Sequence, residues 1–144
     1  MKIRQYEPTD LELLLSVWEL ASEVGHPFLS EEFLKSERQR IPSQYLPNGD
    51  VWIAAVDGRL VGFTILHGSE VGALFVNPRY HGNRIGFGLM NKALELHDKL
   101  QVEVFKDNSI GYKFYSRYGF VLKREYLHRE TGMIMSCMEY RKDS

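Results

Sequence analysis

Residues 81 to 88, His-Gly-Asn-Arg-Ile-Gly-Phe-Gly, constrain the fold of this chain more than any other segment. They follow an apolar, β-prone stretch from Val71 to Val76 and open a helical pattern of apolar residues at Ile85, Leu89, Met90 and Ala93. A strand, a glycine-rich turn and a helix in this order leave backbone N–H groups unpaired at the helix start, where the helix dipole favours a phosphate. The spacing matches neither the dinucleotide pattern G-x-G-x-x-G nor a nucleoside-triphosphate loop. The turn therefore predicts a different pyrophosphate, and coenzyme A is the ligand that it suggests.

Hydrophobic spacing and turn signals predict further strands and helices along the chain. Strands are expected at residues 3–6, 51–56, 60–66, 71–76, 102–105, 119–122 and 133–140. Helices are expected from 9 or 10 to about 25, from 30 to 41 where Pro42 stops the helix, from 85 to 96 and from 108 to 118. The sum is an α+β fold in a single domain, residues 1–144, with a mixed, mainly antiparallel sheet of about seven strands flanked by about four helices.

Charge and cysteine content exclude several classes of function. The formal net charge of -1 gives no chain-wide attraction to nucleic acid or to an anionic membrane surface. The charged start and the lack of a long apolar run argue against a secretory signal and a membrane span, so we expect a cytoplasmic protein. The single cysteine, Cys137, predicts no internal disulfide and no zinc site; it is a small core residue or, alternatively, a nucleophile. No bound metal is expected.

Two segments resemble the signature regions of the GNAT superfamily of N-acetyltransferases. The first runs from Leu74 to Pro78 and on through His81 to Gly86, and the second from Val102 through Asn108 and Tyr115 to Phe120. The resemblance implies a GNAT-type fold and an acetyl-CoA-dependent enzyme that transfers acetyl to a primary amine by direct attack on the thioester. The amine would be a protein lysine, a protein N-terminus or a small amine, and the enzyme a monomer or weak homodimer.

The resemblance also implies a set of residues that bind the cofactor. Main-chain atoms of the strand would hold pantetheine and the thioester, the turn would hold the pyrophosphate, and Tyr115 would protonate the departing thiolate. This set comprises Leu74, Phe75, Val76, His81, Gly82, Asn83, Arg84, Ile85, Gly86, Phe87, Gly88, Asn108 and Tyr115. His81 and Arg84 depart from the family pattern, which has Gln or Arg and a glycine there. Because a cation is misplaced at a helix start, Arg84 predicts an anion beside it; a solvated surface charge is the alternative.

The acceptor side is less well defined by the sequence. Residues 25–29, Gly-His-Pro-Phe-Leu, resemble a loop of a bacterial GNAT subgroup that includes suspected protein-lysine acetyltransferases, which implies that His26 and Phe28 contact the acceptor. A capping histidine beside a core phenylalanine is the alternative.

The general base is not obvious from the sequence. Family members often carry a glutamate on the strand before the turn, but Gly72 matches that position here. Glu70, His67 and Glu103 are candidate bases acting through water, with Glu70 first among them.

Two other functions compete with the acetyltransferase. A non-catalytic CoA-binding or sensory module would explain the altered turn and the missing strand glutamate. An unrelated nucleotide-binding α/β protein would bind ATP or NAD instead of CoA.

Overall fold

A computed structural model describes residues 1–142 of the chain. Its strands are β1 (Lys2–Gln5), β2 (Asp50–Val56), β3 (Arg59–His67), β4 (Glu70–Val76), β5 (Lys99–Phe105), β6 (Val121–His128) and β7 (Met133–Arg141). Its α-helices are α1 (Leu11–Gly25), α2 (Glu31–Arg40), α3 (Ile85–Leu96) and α4 (Ser109–Tyr118). The predicted α+β fold is confirmed, because these seven strands form one sheet in the order β1-β2-β3-β4-β5-β7-β6.

The sheet is antiparallel except where β4 and β5 run parallel. The predicted hairpin turn joins β2 and β3 through Asp57 and Gly58, both of which have positive φ (51° and 77°). Asp-Gly suits this geometry because glycine and aspartate tolerate the left-handed region better than most residues.

Helices cover the two faces of the sheet with separate apolar clusters. On one face, Leu14, Leu15 and Trp18 of α1 pack with Phe63 and Ile65 of β3. On the other face, α3 and α4 cover β5 through a second apolar cluster. Its buried members include Met90, Ala93, Leu94, Leu100, Val102, Val104 and Tyr115. Helices α1 and α3 therefore cover opposite faces of β4, the central strand of the sheet, and β5 lies next to it.

The end of α2 differs from the expectation that Pro42 stops the helix. The chain continues from α2 into a π-helical turn, Ile41–Tyr45, in which the N–H of Leu46 donates to the carbonyl of Ile41 (2.9 Å). Pro42 lies at the start of this turn, where its missing N–H costs little. The turn carries Tyr45 back toward the sheet.

A splay between β4 and β5 opens the centre of the sheet. Among the described residues these strands pair only at Glu70 with Gln101 and at Val71 with Val102. On its other edge β4 pairs with β3, but the register shifts between Ile65 and Leu66 so that Gly72 is an extra residue on β4. This β-bulge bends β4 where the splay begins. Beyond it, the β5-facing edge of β4 is free to pair with a ligand.

Candidate active site

A cavity of about 690 Å³ passes through the splay and reaches both faces of the sheet. One end is lined by the start of α3 and by α4, and the other by α1, α2 and the π turn. The middle is lined by β4 and β5, including Gly72, Leu74 and Val76. Each of the predicted strand residues Leu74, Phe75 and Val76 lines this cavity.

The start of α3 has the geometry of an anion site. In the described chain, the backbone N–H groups of Arg84, Ile85, Gly86 and Phe87 have no hydrogen-bond acceptor. They point out of the first helical turn together with the positive end of the helix dipole. Gly82, with a φ of 86°, brings the chain into this turn. The turn before α3 therefore leaves its N–H groups available to a phosphate, and the binding of a pyrophosphate there stays a prediction.

Arg84 occupies a backbone position that favours glycine. It is the N-cap residue of α3 and has a φ of 60° and a ψ of 26°, in the left-handed region. A non-glycine residue there costs roughly 1 kcal/mol. Its guanidinium lies 4.6 Å from the centre of the Phe87 ring, which orients the charge beside the free N–H groups. A strained cation at a helix start is explained if it binds an anion.

The other turn residues divide between ligand-facing and packing positions. His81 and Asn83 are exposed, and His81, Gly82, Arg84, Ile85, Gly86 and Phe87 line the cavity. A Cβ on Gly86 would lie 2.8 Å from Cε1 of Phe114, and one on Gly88 would lie 2.5 Å from Cε of Met1. These two glycines therefore permit close packing of α3 against its neighbours.

Two basic residues of α4 join this end of the cavity, and the sequence reasoning missed both. Lys113 and Arg117 are exposed, line the cavity and lie four residues apart on one face of the helix. Their spacing on the same helix as Tyr115 is the signal that could have found them. With Arg84 they make this end cationic, as the phosphates of CoA require.

Tyr115 lies on α4 where the helix meets the splay. Tyr115 is 6% exposed and belongs to the apolar cluster under α3 and α4, and it also lines the cavity. Within residues 1–142 its hydroxyl has no hydrogen-bond partner. Burial raises the pKa of this phenol above its ordinary value. The hydroxyl is therefore protonated and uncommitted.

Asn108 and His26 connect the two ends of the cavity. Oδ1 of Asn108 accepts from the N–H of Gly111 (3.0 Å) and caps α4, so Nδ2 is the atom that donates to Nε2 of His26 (3.2 Å). Burial lowers the pKa of His26 to about 4, which keeps this acceptor nitrogen unprotonated. A contact between Asn108 and CoA stays a prediction, because its carboxamide is used within the protein.

Aromatic rings form the wall of the end of the cavity under α1 and α2, called the acceptor end because the acceptor is predicted to bind there. His26 makes edge-to-face contacts with Phe28, Phe75 and Phe105, and Phe105 makes another with His128. His26, Phe75, Phe105 and His128 line the cavity, whereas Phe28 packs behind His26 and Phe105. Of the two predicted acceptor residues only His26 lines the cavity, and the sequence reasoning missed the rings of Phe105 on β5 and His128 on β6.

Three carboxylates also line the acceptor end: Glu37, Glu70 and Glu103. Glu37 accepts from the Tyr45 hydroxyl (2.5 Å), and Oε1 of Glu103 accepts from the Tyr126 hydroxyl (3.0 Å). Glu70 is exposed at the start of the splay. This end of the cavity is therefore suited to a cation with an apolar stem.

Cys137 lies next to this carboxylate cluster. Its Sγ donates to Oε2 of Glu103 (3.6 Å), and burial together with Glu103 raises the pKa of the thiol. A raised pKa disfavours the thiolate that nucleophilic attack requires. The expected core position is also wrong, because Cys137 is only partly buried and belongs to none of the buried core clusters of the described residues.

Two further features, a membrane span and a metal cluster, are absent from the part of the chain that the structure describes. No helix in residues 1–142 is long and apolar enough to cross a membrane. The same residues contain no group of three or more His, Cys, Asp or Glu side chains placed to hold a metal ion.

Comparisons with known proteins agree with this geometry. A family model described as "Acetyltransferase (GNAT) domain" matches residues 47–122. Peptidyl-lysine N-acetyltransferase YiaC of Escherichia coli strain K12 is 31% identical over 119 residues, which are 82% of this chain and 82% of that protein. Peptidyl-lysine N-acetyltransferase YjaB of Salmonella typhimurium strain LT2 is 32% identical over 83% of each chain. The solution structure of apo YjaB from Escherichia coli superposes with a TM-score of 0.87 at 26% identity over 96% of each chain.

Proposed function

The chain belongs to the GNAT family of acetyltransferases and is an N-acetyltransferase, and on this basis we propose that it transfers acetyl from acetyl-CoA to lysine side chains of proteins. One observation supports the proposal above all others. A single cavity joins a cationic end at α3 to an aromatic and acidic end under α1 and α2. The two substrates would enter from opposite faces of the sheet and meet at the splay.

The donor end suits acetyl-CoA. The free N–H groups of Ile85, Gly86 and Phe87 bind the pyrophosphate, with Arg84 neutralising its charge. The pantetheine arm binds along the free edge of β4 as a neighbouring strand would. This position places the thioester beside residues 74–76. A backbone N–H of this edge polarises the thioester carbonyl.

The acceptor end suits a lysine side chain. Its tetramethylene stem packs along the ring wall of His26, Phe75 and Phe105. Glu70, at the start of the splay, attracts the ammonium group and passes a proton from it to solvent through water. We include Phe28 in this proposal as the ring that holds His26 in place.

The chemistry has three steps. The acceptor ammonium loses a proton, since only the neutral amine attacks the thioester carbon. The new C–N bond forms and the C–S bond breaks, and the nitrogen loses a second proton as the amide appears. Tyr115 donates its phenolic proton to the departing CoA sulfur and is then reprotonated from the site. The products are the acetylated amine, CoA and one proton.

Peptide acetylation with two matched blocks tests the acceptor class. A lysine peptide with a blocked N-terminus should accept acetyl from acetyl-CoA, detected by mass spectrometry as a gain on the lysine. The same peptide with a blocked lysine and a free N-terminus should not. Acetylation of the second peptide alone would assign the enzyme to protein N-termini and overturn the proposal.

A non-catalytic CoA-binding module is the alternative that the altered turn favours, because Arg84 stands where the family has glycine. It predicts that acetyl-CoA binds and raises the melting temperature, while no thiol is released with any peptide or small amine.

A further inference from the structure

The acceptor nitrogen needs a base beside the splay, and the structure contains an imidazole that the proposed function has not used. His67 is the last residue of β3 and pairs in register with Glu70, on the sheet face that carries the acceptor end of the cavity. Building on the proposed acetyl transfer, we infer that Nε2 of His67 takes the proton that the attacking nitrogen loses, across one water molecule.

The position of the ring carries this inference. A Cβ added to Gly72 would lie 2.6 Å from Cδ2 and 3.0 Å from Nε2 of His67, so the ring occupies the space of a side chain at that residue. A Cβ added to Gly49 would lie 3.3 Å from Cε1 of the same ring. The imidazole thus lies between two glycines and reaches from β3 over the bulge of β4. Gly72 lines the cavity where β4 leaves β5.

The hydrogen bonding of the ring decides which nitrogen is the base. Nδ1 of His67 lies 3.2 Å from the backbone carbonyl oxygen of Asn48. A carbonyl can only accept, so Nδ1 carries the hydrogen and Nε2 carries the lone pair. Nε2 is the ring nitrogen nearer Gly72, and it is Gly72, not His67 itself, that lines the cavity. The tautomer therefore presents an acceptor to the side of the ring that faces Gly72, which one water molecule would connect to the cavity.

The carboxylates and the tyrosine on this face are less suited to the task. Glu103 already accepts from the hydroxyl of Tyr126 (3.0 Å) and from the thiol of Cys137 (3.6 Å), which commits both of its oxygens. Tyr45 donates its hydroxyl to Glu37 (2.5 Å). Glu70 is free to attract the ammonium, but a carboxylate is a weaker base than an imidazole toward an amine.

The proton balance follows from these roles. The ammonium form of the acceptor gives its first proton to water beside Glu70, and the nitrogen gives its second through water to Nε2 of His67 as the amide forms. The imidazolium that results then releases this proton to the site, where Tyr115 has just lost one to the CoA sulfur. No oxidant or further reactant is needed.

Chemical rescue tests the assignment. In His67→Ala, the space between Gly49 and Gly72 is open to added imidazole. We expect kcat for a lysine peptide to fall by about 10²- to 10⁴-fold, with unaltered acetyl-CoA affinity by calorimetry. Added imidazole should restore turnover, and substituted imidazoles of the same size should restore more as their basicity increases. A ring that only fills space would restore activity without regard to basicity.

Two controls keep the outcome interpretable. His97→Ala, at the C-terminal end of α3, should retain wild-type kcat and show no response to imidazole. Glu103→Gln should lose less activity than His67→Ala. Wild-type kcat in His67→Ala, or rescue that is independent of basicity, would overturn the role of His67. Absence of peptide acetylation by the wild-type enzyme would instead overturn the proposed function.

Discussion

Nε2 of His26 accepts a hydrogen bond from Nδ2 of Asn108 (3.2 Å), which ties the loop after α1 to the N-cap of α4. The bond requires an unprotonated imidazole at Nε2, and the aromatic surroundings of His26 lower its pKa to about 4. The loop that carries His26 and the helix that carries Tyr115 are therefore held together by a hydrogen bond that protonation of His26 would break.

We expect this histidine to make the protein acid-sensitive. The pKa of His26 is lower in the folded state (about 4) than the ordinary value of 6.5, so its contribution to stability is complete above pH 6.5 and is lost as pH falls to about 4. The loss amounts to about 3 kcal/mol at most. Urea unfolding of wild type and His26→Gln at pH 7, 5.5 and 4.5 measures it. Gln keeps an acceptor for Asn108 but does not titrate, so its stability should decline less; parallel declines would contradict the prediction.

Arg84 should lower stability and raise CoA affinity. Its φ of 60° favours glycine, so Arg84→Gly should be more stable than Arg84→Ala by about 1 kcal/mol in denaturant unfolding. Both variants lose the guanidinium, so both should bind CoA about tenfold or more weakly by calorimetry, because a charge-assisted bond to phosphate contributes about 1.5–3 kcal/mol. Wild-type CoA affinity in either variant would make Arg84 a surface charge without a ligand.

Lys113 and Arg117 should bind the nucleotide end of CoA. Their removal in Lys113→Ala/Arg117→Ala should weaken CoA more than dephospho-CoA, which carries less charge, and should reduce the salt dependence of CoA binding. Lys123→Ala, an exposed lysine on β6, is the matched control and should bind both ligands as wild type does. Equal losses for CoA and dephospho-CoA would place the phosphate elsewhere.

The sequence predicted the elements of this fold well because each has a local signal. Asp57-Gly58 forms its hairpin and Ser30 caps α2 through the N–H of Phe33 (3.1 Å). The bulge at Gly72 has no such signal, since it depends on how β3 and β4 align. The splay likewise depends on the register of β4 against β5, which are far apart in the chain.

The candidate site also combines features that a local sequence signal predicts with features that depend on long-range contacts. The turn at residues 81–88 was recognisable because glycine spacing and helix start are local. The ring wall at Phe105 and His128, the acidic neighbours of Cys137 and the position of His67 over Gly72 depend on contacts between distant segments. A pattern of residue types along the chain carries no information on these distances.

The proposed chemistry depends on Tyr115 more than on any other side chain, because Tyr115 supplies the proton to the departing CoA sulfur. The phenol lines the cavity beside the splay, and its hydroxyl has no partner in residues 1–142, so it is available to the CoA sulfur. Because burial raises the pKa of Tyr115, the hydroxyl keeps its proton throughout the neutral and mildly alkaline range. It donates effectively because the same buried site also disfavours the thiolate, whose protonation relieves that cost.

Tyr115→Phe removes the hydroxyl and keeps the ring that packs against Phe120 and Phe114. We expect kcat to fall about 10- to 10⁴-fold with acetyl-CoA affinity little altered. Tyr112→Phe, on the same helix, is the matched control and should keep its activity. In wild type, kcat should not decline from ionisation of Tyr115 as pH rises from 7 to 9.5, because the raised pKa lies above this window. A Tyr115→Phe enzyme with full kcat on a lysine peptide would leave solvent as the proton donor and remove Tyr115 from the mechanism.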